Sequence, residues 1–176
     1  GADEWGVVWG NIGNSNLGQV VESPLKDWKD LARLNIPDIL ASKRWECLNE
    51  AITGAGDKFL LACGVSIYER VHFLRGQENA WRDICDAPAE LGKLIDILTE
   101  MNVAAIKRFS EMGVDGYFIG DDWGSQDRLM VSPNAWREIW KPHYARIFTT
   151  AHAAGLLTFL HSCGHIVEIL DDLIEI

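Results

Sequence analysis

The residues best suited to chemistry are His161-Ser162-Cys163, which end an apolar run and precede Gly164. If residues 157–163 form a β-strand, side chains alternate between its faces, so His161 and Cys163 point the same way. An imidazole nitrogen and a thiolate sulfur suit zinc better than magnesium or calcium. The spacing therefore predicts part of a metal site at the C-terminal end of a strand, where parallel α/β enzymes carry their chemistry.

This pair of ligands is incomplete, because a catalytic zinc needs three protein ligands and one open position. The third ligand is either Cys63, which ends another predicted strand, or a residue beyond Ile176. Cys63 would face the same mouth if the two strands are neighbours. Packing is the alternative explanation for the pair, since a free cysteine often behaves as a small buried apolar residue. His165 is expected to make a polar contact at a helix start.

Asp121 and Asp122 form a second candidate pair, because they directly follow the predicted strand at residues 114–120. With Trp123 and Gln126 they would give a cleft hydrogen-bond acceptors and a stacking surface. Adjacent side chains point in opposite directions, so at most one of the two carboxylates is expected to reach the cleft. The structural alternative is that Asp122 only caps a short helical turn.

Two further groups have a functional and a structural interpretation. Trp5 and Trp9, with Asn11, could form the wall of a pocket for a flat ligand, but core packing is the favoured explanation. Four residues that follow the first predicted strand could bind an anion at a helix start, or form an ordinary solvated helix face. They are Tyr68, Glu69, Arg70 and Arg75.

The elements that must position these residues are predicted from hydrophobic patterning. Three apolar runs bounded by glycines, at residues 58–65, 114–120 and 156–163, predict strands buried on both faces, as in a parallel sheet. Predicted helices cover residues 39–51, 67–74, 78–85, 86–112, 132–154 and 166–174, with a shorter one starting at Ser23-Pro24. This alternation predicts βαβ units and an α/β fold.

Local signals predict how the helices begin and bend. Ser66 is expected to cap the helix at residues 67–74, and Asp86 to cap the long helix that follows it. Pro142 is expected to kink the helix in which it lies. Glycine and asparagine interrupt the N-terminal residues, which favours a loop with one short strand.

Composition limits the classes of partner. A net charge of −10 and a pI near 4.9 argue against nucleic acid and against an anionic membrane surface. The four cysteines include no CxxC pair, and no apolar run approaches the ~18 residues that span a bilayer. These features predict a cytoplasmic protein with reduced thiols.

Three strands do not close a barrel, and the last predicted helix leads to no further strand. Residues 1–176 are therefore expected to be one domain that is incomplete at both ends. Such a chain could form a homo-oligomer that covers its open sheet edges.

The chain resembles the uroporphyrinogen decarboxylase superfamily over nearly its whole length. The resemblance follows an ordered series of segments: DEWG, Pro37-Asp38, Leu74-Arg75-Gly76, VDGYFIGDDWGSQ, SPNAWREIWKPHY, AHAAG and HSCGHI. It is most specific in the second half of the chain. It implies a (β/α)8 TIM barrel, of which this chain would cover a central part.

The HSCG block resembles the zinc site of the corrinoid-dependent, coenzyme M type methyltransferases. This implies zinc as a cofactor, His161 and Cys163 as its ligands, and a corrinoid (methylcobamide) as the methyl donor, carried by a partner protein or supplied as a small molecule. The family's third ligand, a downstream cysteine, is absent from this chain. Asp121 or Asp122 would be catalytic. The expected cofactor-binding residues are Trp5, Trp123 and Gln126.

Two other functions stay open at this point. The first is a cofactor-free uroporphyrinogen decarboxylase, in which positively charged groups bind the substrate's carboxylates; the net acidity and the HSCG block disfavour it. The second is a non-catalytic module that binds a corrinoid or another tetrapyrrole against the tryptophan-rich segments.

Overall fold

The structure, a computed structural model, describes residues 1–11 and 18–176. Its elements, in chain order, are β1 (Val8–Asn11), β2 (Gly18–Glu22), a 3₁₀ helix (Trp28–Arg33), α1 (Ser42–Gly54), β3 (Leu61–Cys63), α2 (Tyr68–Arg75), α3 (Gln77–Asp86), α4 (Ala89–Glu111), β4 (Gly116–Gly120), α5 (Pro133–Ala135), a π-helical turn (Trp136–Trp140), α6 (Lys141–Ala153), β5 (Leu157–His161) and α7 (Val167–Glu175). Strands β3, β4 and β5 form a parallel sheet in that order, and β1 pairs with β2 in an antiparallel hairpin. The α/β class predicted from the sequence is confirmed.

The parallel sheet is open and its two faces differ. Tyr117 and Ile119 of β4 are fully buried on one face. The opposite face exposes apolar side chains: Leu61 is 43% exposed, Leu157 59% and Phe159 41%. These strands and their helices have the arrangement of part of a (β/α)8 barrel, in which the second face would line the interior.

The covered face of the sheet packs against two long helices. The 3.6-residue period of α4 places Leu94 and Leu98 in the core, where α4 packs against Tyr144 and Ile147 of α6. Burial of these large side chains removes apolar surface from water, which is the dominant stabilising term in folding. Within the described ranges, no helix is both long and apolar enough to cross a membrane.

The predicted caps of α2 and α4 are wrong. Asp86 lies in the last turn of α3, and the chain then turns through Ala87, whose φ is +45°. Helix α4 begins after Pro88 and has no side-chain cap. Ser66 does not cap α2 either, because a carboxylate from the end of β4 bonds to the amides there.

The N-terminal region differs from its prediction in two places. The expected helix at Ser23-Pro24 is a 3₁₀ helix that starts only at Trp28, after Asp27 accepts a hydrogen bond from the amide of Lys29 (3.0 Å). The single expected strand is a hairpin, because the mostly exposed β2 pairs with β1. Its connecting residues, 12–17, lie outside the described ranges.

The helix predicted at residues 132–154 contains a π-helical turn just before Pro142. The amide of Lys141 bonds to the carbonyl of Trp136, five residues back, and α6 then starts with the proline in its first turn. A proline has no N–H to donate, so a position at a new helix start removes no hydrogen bond. The predicted disturbance at Pro142 therefore takes the form of a local π turn.

Arg75 and Asp83 form a buried ion pair that joins α2 to α3. The Arg75 Nε lies 2.7 Å from Asp83 Oδ2, and a second guanidinium nitrogen donates to the carbonyl of Leu25 (2.7 Å). Trp28 donates its indole N–H to the same carboxylate and lies under the guanidinium. Arg75 is thus occupied in the core and does not offer the anion site considered from the sequence.

Candidate functional site

Three potential metal ligands meet where β4 and β5 end. His161 Nε2, Cys163 Sγ and a carboxylate oxygen of Asp122 all lie within 4.8 Å of one another. The Nε2–Sγ distance is 3.4 Å, and Nε2 lies 3.5 Å from Asp122 Oδ1. A tetrahedral ion with bonds of about 2.0–2.3 Å would hold its ligand atoms roughly 3.3–3.8 Å apart. The two measured distances fall in that range, and the remaining pair of donor atoms lies within 4.8 Å.

Backbone hydrogen bonds between the loops after β4 and β5 hold this cluster together. The amide of Cys163 donates to Asp122 Oδ1 over 2.7 Å, and the amide of Trp123 donates to the Ser162 hydroxyl over 2.9 Å. The Gly124 amide bonds to the Cys163 carbonyl (3.1 Å). Asp122 therefore has its position set by the same loop that carries Cys163.

Glycines allow the two loops to touch. Gly164 has φ +76°, which is costly for any residue with a Cβ, and a Cβ there would collide with the backbone of Gly124 and Ser125. A Cβ on Gly124 would in turn meet the backbone of Cys163 and Gly164. Gly164, the glycine of the HSCG block, is needed to bring the loop after β5, which carries Cys163, against the loop after β4.

Asp121 and Asp122 point in different directions and have different surroundings. Asp121 is fully buried, and its carboxylate accepts hydrogen bonds from the amides of Ile67 and Glu69 (2.8 Å each) and from the Tyr144 hydroxyl (2.7 Å). Burial raises the pKa of Asp121 to about 6, and these hydrogen bonds oppose that rise. Asp121 thus closes the N-terminus of α2, and Asp122 is the carboxylate that faces the cleft.

Two of the three residues expected to bind a cofactor are buried in the core. Trp123 is fully buried, stacks on Tyr68 with 3.8 Å between ring centroids, and donates its indole N–H to Tyr144 (2.9 Å). Trp5 is buried in the core. Gln126 is exposed on the loop after β4. The two indole rings stabilise the core, and neither forms a cleft wall in this structure.

Cys63 does not join the metal-ligand cluster. Strand β4 lies between β3 and β5, and Cys63 pairs with Phe118, which in turn pairs with Phe159. Cys63 therefore lies two residue positions before His161 along the strand direction. Its strand, β3, is also not adjacent to β5, which carries His161. It lines a separate depression beside Trp45.

A cavity of about 480 Å³ opens beside the cluster, between β2 and α2. Its walls include two aromatic rings, a thioether, an imidazole and two carboxylates. These belong to Trp9, Phe73, Met130, His72, Glu69 and Asp122. Because Asp122 belongs both to this wall and to the ligand cluster, a molecule in the cavity would lie next to the cluster.

Burial and neighbouring charges set the protonation of the groups around the cavity. The pKa of Glu69 is raised to about 7, first by burial and then by the charges of Asp121 and Asp122. Burial lowers the pKa of His72 to about 4, so its imidazole is neutral at pH 7. The hydrogen bond to Asp122 and the charge of its carboxylate raise the pKa of Cys163, which favours the protonated thiol.

Glu69, His72 and Phe73 were not predicted to line a cleft together. Their spacing of i, i+3 and i+4 places them on one face of α2, which was the available signal. What the spacing does not reveal is which way that face turns. This depends on Asp121, whose bonds to the first amides of α2 fix that helix against the end of β4.

A parallel sheet with helices on its covered face, and with potential metal ligands and a cavity at its carboxyl edge, defines a protein of the (β/α)-barrel enzyme class. The profile of the uroporphyrinogen decarboxylase (URO-D) family matches residues 13–176. The chain belongs to this family, which confirms the resemblance seen in its sequence.

Solved structures share the fold. A methyltransferase from Methanosarcina mazei superposes with a TM-score of 0.71 over 97% of this chain at 23% sequence identity. The match covers 50% of that protein, so the chain spans about half the length of this structural relative. No curated protein sequence matches the chain. At this identity the likeness establishes the fold and leaves the reaction to be argued from the site.

Proposed function

We propose that this chain carries the metal site of a zinc-dependent methyltransferase that moves a methyl group from a corrinoid carrier to a thiol or similar acceptor. The observation that carries the proposal is the cluster of Asp122, His161 and Cys163, whose donor atoms have the spacing of ligands around one tetrahedral ion. The fold shared with a protein named as a methyltransferase supports it.

The donor set suits zinc and leaves a position free. His161 would bind through Nε2, Cys163 as a thiolate and Asp122 through one carboxylate oxygen, which gives the three protein ligands of a catalytic site. When bound, zinc would act as a Lewis acid that lowers the pKa of an acceptor thiol and so favours its nucleophilic thiolate at neutral pH. Asp122 would take the place of the third ligand that the sequence left to Cys63 or to a residue outside this chain.

The chain's own residues would orient and seclude the acceptor. The cavity beside the cluster would hold the acceptor so that its sulfur or equivalent atom faces the open position. The Asp121–Tyr144 hydrogen bond would fix the start of α2, and with it the cavity wall that carries Glu69. The hydrogen bond from the Cys163 amide to Asp122 would hold the ligand atoms at a fixed spacing.

The rival decarboxylase function is supported by the description of the matching family. The cavity weakens it, because its described wall carries carboxylates and no Lys or Arg to receive a substrate's carboxylates. The tetrapyrrole-binding alternative relied on the tryptophan-rich segments as walls. Of these, Trp5 and Trp123 are buried, and Trp9 lines the cavity.

Metal analysis of the purified chain tests the proposal. We expect about one zinc per chain, lost in His161→Ala and in Cys163→Ala and retained in the exposed control Cys47→Ala. Loss of the Co–C absorbance of methylcobalamin in the presence of a thiol would report methyl transfer. Zinc content that is at background level, or that falls equally in the control, would refute the site. Decarboxylation of uroporphyrinogen by metal-free protein would support the rival function.

A further inference from the structure

We propose that the cavity between β2 and α2 binds a small molecule with a positively charged group, held by the Glu69 carboxylate against the rings of Trp9 and Phe73. This inference rests on the proposed function in one respect: the bound molecule is taken to be the small-molecule partner in methyl transfer. The charge preference itself follows from the cavity wall and is argued from that wall alone.

The wall of the cavity is acidic. Its described residues include the carboxylates of Glu69 and Asp122 and no Lys or Arg. Residues 12–17, which lie outside the described ranges, have the sequence IGNSNL and include no ionisable side chain. Burial keeps His72 neutral at pH 7, so it adds no positive charge. Glu69, whose pKa is about 7, is mostly ionised only above that pH, so the potential in the cavity is negative in mildly alkaline solution, and the net charge of −10 adds to it.

Glu69 has no counter-ion among the described residues. No ion pair or side-chain hydrogen bond of its carboxylate occurs there. Arg70, the next residue in the chain, instead pairs with Asp3 (3.4 Å) and lies over the rings of Trp5 and Phe73. A half-buried carboxylate without a partner is costly, and a bound cation would relieve that cost.

Zinc in the neighbouring cluster would not cancel this charge. The carboxylate of Asp122 and the thiolate of Cys163 would together neutralise a divalent ion bound between them. Glu69 is not a member of that cluster, so its carboxylate would remain uncompensated. The cavity would thus keep a preference for cations with or without the metal.

Aromatic rings add a surface for a cation, chiefly that of Trp9, because the Arg70 guanidinium already lies over the Phe73 ring (5.5 Å). Trp9 and Phe73 meet edge to face, with 4.9 Å between centroids and 71° between planes, and both line the cavity. Ring faces attract ammonium groups, most strongly when these are methylated and poorly hydrated. A volume of about 480 Å³ accepts a small molecule with room for a second polar group. Anionic acceptors, such as sulfonates, would meet repulsion.

Titration calorimetry on the 176-residue chain, metal-free and zinc-loaded, at a pH of about 8 where Glu69 is mostly ionised, tests this preference with a matched pair of probes. Choline carries a trimethylammonium group, and 3,3-dimethyl-1-butanol is its neutral isostere with carbon in place of nitrogen. We expect choline to bind at least about tenfold more tightly than the isostere, because it gains both cation–π and ionic attraction. Ethanesulfonate should bind more weakly than either. Equal affinity for choline and the isostere, or no binding of choline, would overturn the inference.

Variants assign the preference to Glu69. Glu69→Gln should lower choline affinity about tenfold and leave the isostere unaffected, since only the charge is lost. Glu78→Gln makes the same charge change at an exposed site outside the cavity wall and should change neither. An equal loss in both variants would mean that net charge, and not this cavity, attracts the cation, which would refute the inference. If the chain prefers choline but binds no zinc and transfers no methyl group, the proposed function is refuted and this inference stands. If the chain binds zinc and transfers a methyl group but does not prefer choline, this inference is refuted and the proposed function stands.

Discussion

The hydroxyl of Tyr144 donates to Oδ2 of Asp121 over 2.7 Å, and both side chains are fully buried. The same carboxylate accepts the amides of Ile67 and Glu69 at the start of α2, while Tyr144 belongs to α6. A single hydrogen-bonded group therefore joins the end of β4 to two helices. The cavity wall on α2 depends on this junction.

Tyr144→Phe should destabilise the chain by about 1–3 kcal/mol, because it removes a donor to a buried carboxylate and the acceptor of the Trp123 indole N–H. Urea unfolding measures the change. Tyr68→Phe is the matched control: Tyr68 is also fully buried, but its hydroxyl makes only a long contact of 3.4 Å with Trp81. A loss as large in the control would show that ring hydroxyls in general, and not the Asp121 junction, carry the stability.

Gly164→Ala should damage the metal-ligand cluster as well as stability. The added Cβ would collide with the backbone of Gly124 and would sit at a positive φ. Separation of the two loops would move Cys163 from Asp122, so zinc affinity should fall at least about tenfold. Zinc titration against a chromophoric chelator measures the change.

Gly155→Ala provides the control for that variant. Gly155 has nearly the same positive φ, +78°, but a Cβ there would meet nothing within 4 Å. It should cost about 1 kcal/mol of stability through backbone strain and leave zinc affinity unchanged. Equal zinc affinity in the two variants would mean that contact between the loops does not set the ligand geometry.

The sheet could be predicted from the sequence because its signals are local. Apolar runs bounded by glycines predicted β3, β4 and β5, although each observed strand is shorter than its run. Strand β2 was missed because it is mostly exposed and has only two consecutive apolar residues, Val20 and Val21, which is too short a run to mark a strand. Asp86 was wrongly predicted to cap α4. The turn at Ala87 and Pro88 ends α3 and starts α4, and a rule that considers one capping residue at a time does not detect such a turn.

The site was only partly predictable, because it is assembled from contacts between distant segments. The spacing of His161 and Cys163 placed them together, although Cys163 lies beyond the end of β5 and comes close to His161 through the loop. Which of the two adjacent aspartates faces the cleft depends on how the end of β4 packs against the start of α2. Neither pattern nor composition reports that contact, so Asp122 emerged as a ligand candidate only from the structure.

Asp83→Ala should destabilise the chain by about 3–5 kcal/mol, because it leaves the guanidinium of Arg75 buried without its partner. Glu22→Ala breaks the exposed Lys26–Glu22 pair and should cost less than about 1 kcal/mol. Chemical denaturation of both variants measures the difference. Similar costs would indicate that solvent reaches the Arg75 pair.

His72 should make stability depend on pH in the acid range. Its pKa is about 4 in the folded chain against about 6.5 for an ordinary histidine, so the unfolded chain takes up the proton first. The contribution of neutral His72 is therefore complete above pH 6.5 and is lost as the pH falls toward 4. Glu69 and Asp121 act in the opposite direction, since their raised pKa values make stability fall as the pH rises toward 7 and 6.

A comparison of wild type with His72→Gln isolates the histidine from these opposing carboxyls, because glutamine keeps a polar side chain that does not titrate. Between pH 7 and pH 4.5 the wild type should lose more stability than the variant by on the order of 1–2 kcal/mol, a figure reduced for partial solvent screening of His72. Urea unfolding at the two pH values gives this double difference, with the exposed His152→Gln as baseline. Parallel pH profiles for wild type and His72→Gln would show that the imidazole is not desolvated in the cavity wall. The neutral state of His72 assumed for the cation site would then be wrong as well.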